Sequence, residues 1–343
     1  MKALIFIESP FQLIGAVEYC YKNKIDFNNS VLIINYQSKV SLLNKQIIAN
    51  VLSFYDLKCA QTIELDEVIT LKSMIARITF YREIFNQVSL PKFDVILVGE
   101  YRSLLGKHLI NTLNLNSVIL DDGNAIRRVP EERSNDITLR EKIRIGVGKL
   151  FRLDINKPKS ITYFSSILKS EDIDLKCEDT LLQNDFPRLK KLTRAQTSLN
   201  IRPTILIIGS PLSAAGVCSE EMEMKNTIAM IHFIQQLYTQ NEYELVYIPH
   251  RREHQSKLET LKSLGCEINL DLLPIELKIA KFNVVECIGF YSTCFETLIE
   301  IFPDLSIKSI VFPQSDVFDE WQHFVDMQYQ GYQRNTRIHV KHI

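Results

Sequence analysis

Two stretches decide the fold: ELVYIPHRREH, residues 244–254, and VVECIGFYSTCFETL, residues 284–298. In the first, an apolar run breaks at Pro249 and delivers His250 at its end. In the second, an apolar run opens at Gly289 and presents Ser292 and Thr293 just ahead of a helix-like pattern. Short apolar runs that lead through a turn into helical periodicity are the units of a parallel α/β sheet. In such sheets ligands bind beyond the carboxyl ends of the strands, where free N–H groups at the next helix favour an anion. A titratable His at one strand end and two hydroxyls at another therefore suggest the wall of a phosphate-bearing pocket.

The same alternation continues outward. Around the two stretches, strands are expected at 204–208, 267–269 and 309–312, and helices at 219–240, 253–264, 274–281 and 294–301. Upstream, strands are expected at 3–7, 31–35, 62–65, 93–98, 117–120 and 161–164. Helices are expected from Pro10 to Tyr21 and at 40–54, 69–87 and 104–113. Residues 181–202, punctuated by Pro187, Lys190 and Lys191 and followed by Pro203, read as the linker. A length of 343 residues exceeds one ordinary core,. The expectation is two Rossmann-like domains with parallel sheets facing across a cleft: 1–185, a linker at 186–203, 204–325, and a tail at 326–343.

Composition narrows the classes. With 46% apolar and 24% charged residues the chain is globular, and a net charge of -1 argues against a dedicated nucleic-acid binder,. The 7 cysteines show neither a CxxC pair nor zinc spacing, as expected of thiols in a reducing compartment,. MKALIFIESP is too short in its apolar run for a signal peptide, and no run has the length of a membrane span,. A cytoplasmic protein is expected. Between residues 125 and 159, Arg127, Arg128, Arg133, Arg140, Lys142, Arg144, Lys149 and Arg152 outnumber the acids, and Ile143, Val147, Leu150 and Phe151 form a helical stripe. One reading is a solvated helix with its stripe on the core. The other is a basic amphipathic surface that touches an anionic membrane or acceptor, which would place the protein peripherally at the inner face of the cell membrane.

Four groups are candidates for chemistry. Asp121 and Asp122, at a strand end before Gly123, can hold one carboxyl as a general base, or form an ordinary acidic turn,. Gly209 and Ser210 offer a turn whose N–H groups and hydroxyl can meet a ligand, without the full pattern of a dinucleotide or triphosphate loop,. His250 opens HRREH, a formal match to the inverted zincin pattern, but directly behind Pro249 it should not share a helix face with His254,. The better role for His250 is a cationic donor to a phosphate, beside Arg251 or Arg252. Ser292 and Thr293 can cap a helix with Glu296 in its first turn, hold a phosphate, or do both,. No serine sits in a G-x-S-x-G elbow,.

Taken in order, SPFQ (9–12), LDDG (120–123), IIGSPLSAAGVCSEEM (207–222), YIPHRRE (247–253), LPIE (273–276) and GFYST (289–293) resemble the bacterial sialyltransferases of GT-B type. The nearest in layout are the lipooligosaccharide sialyltransferases of glycosyltransferase family 52 and the related capsular polysialyltransferases. The resemblance implies an acceptor-side N-terminal domain, a CMP-sugar-binding C-terminal domain and inverting transfer of a sialic acid to a hydroxyl of a capsular or lipooligosaccharide glycan. It implies Asp121 as the general base, with Asp122 as fallback, and His250 as the group that assists departure of the CMP phosphate. Ser292 and Thr293 would bind that phosphate or the donor, and Gly209 and Ser210 would lie near the nucleotide. Pro249, Arg251 and Gly289 would border the donor, and Glu276 would hold ribose or cytosine. Ser9, Pro10 and Gln12 would lie on the acceptor side. The CMP-sugar is then a co-substrate, with no cofactor, metal or nucleic-acid partner expected. Where the family has Pro after the His, this chain has Arg251, which points to an alternative donor such as CMP-pseudaminic or CMP-legionaminic acid. Two readings of other classes stand beside it: an HxxEH zinc metallopeptidase, and a nucleotide-sugar-binding protein without turnover.

Overall fold

The computed structural model describes residues 1–37, 41–67, 93–170, 175, 178–194, 202–239 and 241–343. The helix expected at 69–87 lies outside these residues. The chain divides into two compact units, Met1–Leu189 with Leu272–Pro274, and Lys190–Asp271 with Ile275–Ile343.

The first unit is built on a seven-stranded sheet of β1 (Ala3–Ile7), β2 (Val31–Gln37), β3 (Gln61–Glu67), β4 (Val95–Val98), β5 (Asn116–Leu120), β6 (Thr162–Ser165) and β7 (Thr180–Gln183), in the order β3-β2-β1-β4-β5-β6-β7. Every pairing is parallel. β1 and β4 are buried at every residue. This is why ALIFI and VILV are unbroken apolar runs rather than alternating ones: a central parallel strand is covered on both faces. Its described helices are α1 (Pro10–Lys22), α2 (Ser41–Phe54), α3 (Leu104–Leu113), α4 (Val129–Ser134) and α5 (Leu139–Leu150), and α6 (Pro187–Arg194) begins in it and runs past its boundary at Leu189.

The second unit carries a six-stranded parallel sheet, in the order β10-β9-β8-β11-β12-β13. Its elements run β8 (Pro203–Ile208), α7 (Glu220–Leu237), β9 (Glu244–Ile248), α8 (Gln255–Ser263), β10 (Glu267–Ile268), α9 (Ile275–Lys278), β11 (Asn283–Gly289), α10 (Cys294–Ile301), β12 (Ser306–Ile310), α11 (Asp319–Gln333) and β13 (Ile338–Lys341). In both sheets the strand order reverses beside the first strand of the unit, between β1 and β4 and between β8 and β11. At such a switch point the loops leaving neighbouring strands part and open a crevice for ligands.

The structure departs from the sequence reading at two places. The stretch expected as a linker contains β7, an edge strand on β6, and then α6. Only edge pairing holds β7, so its half-exposed TLLQ has no apolar run to reveal it. Helix α6 is anchored by the Arg188 and Leu189 N–H groups, which donate to the wholly buried Glu18 carboxylate at 2.8 and 2.9 Å. The strand expected at 309–312 is not the last: it forms at Ser306–Ile310, and β13 pairs with it in parallel. The expected tail thus belongs to the second core, into which α11 sends Val325, Tyr329 and Tyr332.

Candidate functional site

In the first unit, the loops leaving β1, β4, β5 and β6 bring together residues far apart in sequence. Ser9 caps α1 in a capping box with Gln12: its Oγ accepts from the Gln12 N–H at 3.3 Å, and Gln12 Oε1 accepts from Ser9 N at 3.2 Å and Glu8 N at 2.6 Å. Pro10 occupies the start of that helix, where its missing N–H costs nothing,. The Gln12 amide, held by its oxygen, donates through Nε2 to Asp122 Oδ1 at 2.8 Å. A Cβ at Gly99 would collide with that amide, so glycine after β4 leaves the Gln12 side chain its place. Ser9 and Pro10 thus shape the helix start, and Gln12 is the member of this stretch that reaches the acid pair.

Asp121 is 3% exposed. Ser165 Oγ donates to its Oδ1, and the Ser166 N–H and Oγ donate to its Oδ2 at 2.7 and 2.9 Å. Burial pushes this carboxyl up to about 6 against the pull of those serine bonds and, more weakly, of Arg127. Asp122 is half-buried. Gly123, at φ 58, turns the chain in the left-handed region that a side chain resists,.

Glu100, the residue after Gly99, was not among the sequence candidates. Its carboxyl lies within hydrogen-bonding reach of Asp122, and its Oε1 accepts from Arg102 N at 2.7 Å. Burial pushes it up to about 7; the charge of Asp122 adds to the rise, while the Arg102 bond opposes it. A signal for it was present, since Glu100 leaves β4 just as Asp121 leaves the neighbouring β5. Ser165 and Ser166, at the end of β6, were missed for the same reason: each strand end was read alone.

In the second unit the loops after β8, β9 and β11 converge on a buried charge cluster. Lys257 on α8 donates to Glu223 Oε1 and to Glu253 Oε1, both at 2.5 Å. The three side chains are 6, 4 and 0% exposed. Tyr247 donates to Glu253 Oε1 at 2.7 Å, the His250 N–H donates to Glu253 Oε2 at 2.8 Å, and Ser213 N donates to Glu223 Oε2 at 2.6 Å. Burial alone would raise Glu223, but Lys257 and Ser213 outweigh it and hold the carboxyl below its usual range. A Cβ on Gly209 would strike the Glu253 carboxylate and the Tyr247 hydroxyl. Gly209 therefore gives Glu253 its room, and Ser210 is fixed by its hydroxyl on the Tyr291 carbonyl at 3.2 Å.

His250 follows the half-buried Pro249. The sequence reading expected a cationic imidazole; in the unliganded protein the surroundings of the ring favour its neutral form. Burial first, then Arg252, Arg251 and Lys257, push His250 down to about 4. Its Nδ1 accepts from the Arg252 N–H at 3.2 Å, so a neutral ring carries its proton on Nε2 and remains a donor there,. Arg251 is exposed on the same turn.

Gly289 sits where a Cβ would lie 2.8 Å from the Ile208 carbonyl, so the close approach of β11 to β8 requires glycine. The Ser292 backbone is clamped by Tyr332 of α11, whose hydroxyl accepts from Ser292 N at 3.0 Å and donates to Ser292 O at 2.7 Å. Thr293 is the N-cap residue of α10 but makes no side-chain cap bond, while Ser292 Oγ accepts from Cys294 N at 3.4 Å. Glu276 is 5% exposed and accepts from Thr297 Oγ1 at 3.0 Å, which packs α9 on α10. Burial raises its carboxyl.

The HRREH stretch does not make the zincin arrangement. Glu253 is committed to Lys257, and His254 is the N-cap residue of α8 with its Nε2 3.4 Å from Glu220. Among the described residues no group of three or more His, Cys, Asp or Glu is placed to hold a metal. No described helix is long and apolar enough to cross a membrane.

Two parallel-sheet α/β units with their polar clusters at the strand ends define a protein of the GT-B class. Solved structures share this fold across nearly the whole chain. A sialyltransferase from Photobacterium damsela is 10% identical with a TM-score of 0.50, covering 99% of this chain and 81% of its own. The UDP-GlcNAc 2-epimerase of Methanocaldococcus jannaschii is 10% identical with a TM-score of 0.54, covering 100% and 89%. Arabidopsis thaliana UGT89C1, complexed with UDP-L-rhamnose, is 9% identical with a TM-score of 0.55, covering 99% and 85%. At these identities the likeness is one of fold. No curated protein gives a significant match. The model of the alpha-2,8-polysialyltransferase (POLYST) family matches residues 3–311. The chain belongs to that family and is a glycosyltransferase.

Proposed function

We propose that this protein moves sialic acid, or a related nonulosonic acid, from a CMP-activated donor to a hydroxyl of a bacterial surface glycan, in a capsule or lipooligosaccharide, with inversion. The observation that carries this reading is the match of residues 3–311 to the polysialyltransferase family, with Asp121 buried at the end of β5 where the resemblance gives the general base. A base poised near the working pH balances ionisation against proton affinity.

The acceptor hydroxyl attacks the anomeric carbon and passes its proton to Asp121. The bond from that carbon to the phosphate oxygen breaks, and CMP leaves with the bonding pair. Attack and departure on opposite faces invert the centre. For its hydroxyl to reach Asp121, the acceptor replaces one of the serine hydroxyls now held there; if Asp121 stays enclosed, the half-buried Asp122 takes the proton instead. On the donor side, the Nε2–H of His250, the cation of Arg251 and the first N–H groups of α10 beside Ser292 and Thr293 hold the departing phosphate. The neutral ring donates through Nε2–H to the phosphate as its charge grows, and the proton that the acceptor gives up stays on Asp121. These groups supply the charge stabilisation asked of the leaving group, and the proposal includes no metal.

The test is CMP release from CMP-Neu5Ac with and without a glycan acceptor, in EDTA. Acceptor-stimulated release supports the proposal. If release occurs only with CMP-pseudaminate or CMP-legionaminate, the donor is the alternative one, with Arg251 as the first residue to exchange. CMP binding without release from any of these donors overturns the proposal in favour of a non-catalytic binder.

A further inference from the structure

Helix α5 is packed the wrong way round for a core helix. Ile145 and Val147 rest on the first unit's core and Gly148 is buried, but Leu139, Ile143 and Leu150 are 75, 58 and 81% exposed. Two of the four residues expected on an inward stripe, Ile143 and Leu150, therefore face water. At about 100° per residue, Leu139, Ile143, Gly146 and Leu150 fall within about 60° of one another on the helix circumference. They make one continuous line, with open space at the Cβ position of Gly146. Ile137, 37% exposed, prolongs it beyond the N-cap. No other described helix exposes more than one large apolar side chain.

The exposed charges on α5 itself have one sign, while Asp136 stands exposed beside Ile137. Arg140, Lys142, Arg144, Lys149 and Arg152 are all exposed, in a chain whose net charge is -1. The single acid of α5, Glu141, is turned back on Thr138 in a capping box. A soluble helix hides its apolar line and shows its charges. Here an outward apolar line has cations on both flanks, the arrangement of a helix that lies in a lipid interface. Positive flanks also distinguish between occupants: they favour an anionic headgroup layer and repel a second copy carrying the same charges.

We propose that α5 is a membrane-docking helix that sets Leu139, Ile143 and Leu150 into the headgroup boundary of an anionic bilayer, with Arg140, Lys142, Arg144 and Lys149 on the lipid phosphates. The helix is about 18 Å long at about 1.5 Å per residue, so it lies along the surface and does not span it. One such helix gives reversible attachment. The inference concerns a surface outside both polar clusters and does not depend on the reaction proposed above.

The test is co-sedimentation of the full chain with vesicles of equimolar phosphatidylcholine and phosphatidylglycerol, beside vesicles of phosphatidylcholine alone. The protein should partition onto the anionic vesicles, with weaker binding as salt rises. The variant Leu139→Ser/Ile143→Ser/Leu150→Ser, and separately Lys142→Glu/Lys149→Glu, should each lower that partition at least about tenfold at an unchanged melting temperature. A protein that ignores anionic vesicles, or variants that bind them as well as the parent, would overturn the proposal. So would a dimer in sedimentation that the triple serine variant dissociates, since the line would then be covered by a second copy.

Discussion

The two strand-end clusters bury charge in opposite ways. In the first, burial prevails over the bonds that oppose it: Asp121 is pushed up to about 6 and Glu100 up to about 7, while elsewhere in the same unit Asp179 is paired with the buried Arg133. In the second, carboxylates are enclosed together with a lysine. Glu223 on Lys257 is held below its usual range although burial alone would raise it, and outside the cluster the pair Glu286–Lys308 behaves alike while Glu276, without a cation, is raised. The desolvation has the same sign in each place, and the partner decides the outcome. The first cluster can exchange protons near neutrality, as a base must. The second is a fixed ionic scaffold around a neutral His250, as suits a site for an anion.

The largest effect that should separate the clusters is chemical. Asp121→Asn should lower acceptor-stimulated CMP release by about a thousandfold while leaving CMP affinity unchanged, measured by steady-state kinetics beside calorimetry. Equal losses in both would break the division of labour, and a similar loss confined to Asp122→Asn would move the base by one residue.

Lys257→Met should act on stability before chemistry. Removing the cation leaves Glu223 and Glu253 buried without it, at a cost of about 3–5 kcal/mol in urea unfolding. Adding Glu253→Gln should recover part of that loss. An unchanged unfolding midpoint would mean that the cluster is not the scaffold described.

Exchange of His250 should be milder and graded. His250→Ala should lower kcat/KM by about a hundredfold, and His250→Gln, which keeps an N–H donor, by about tenfold. Equal effects would remove the Nε2 donor from the account.

The smallest effects are in pH. The acid limb of kcat/KM should fall at about 6 as Asp121 takes up a proton, and His250→Gln should leave that midpoint in place, because His250 at about 4 does not titrate there. Stability should move in opposite senses. The folded value of Asp121 lies above its ordinary 3.8, so its contribution is full below that value and is lost as pH rises through about 6,. His250 is depressed from 6.5, so its contribution is full above that value and is lost as pH falls through about 4,. Urea unfolding of Asp121→Asn and His250→Gln across this range reads each slope.

The sequence discloses most where chemistry and periodicity coincide. β1, β4, β5, β8, β9 and the second half of β11 are buried runs, and their ends point to Asp121, Gly209, His250 and Ser292 without a structure. β7 and β13 were hidden because edge strands are short and half polar. Glu100, Ser165, Ser166 and Tyr332 were hidden for a different reason: their roles exist only once neighbouring strands bring separate loops together. The neutrality of His250 was equally invisible, since it depends on enclosure and on three cations nearby. The stripe with Ile143 and Leu150 could be read as facing the core or an anionic surface, because periodicity shows which residues share a side and not which side faces water.

The most direct measurement is calorimetric titration of CMP into the parent protein, Asp121→Asn and His250→Ala, with transfer from CMP-Neu5Ac assayed on the same samples. The account predicts that Asp121→Asn binds CMP as the parent does and transfers almost nothing, while His250→Ala binds CMP about tenfold more weakly. CMP affinity lost in Asp121→Asn, or retained in full by His250→Ala, would contradict it.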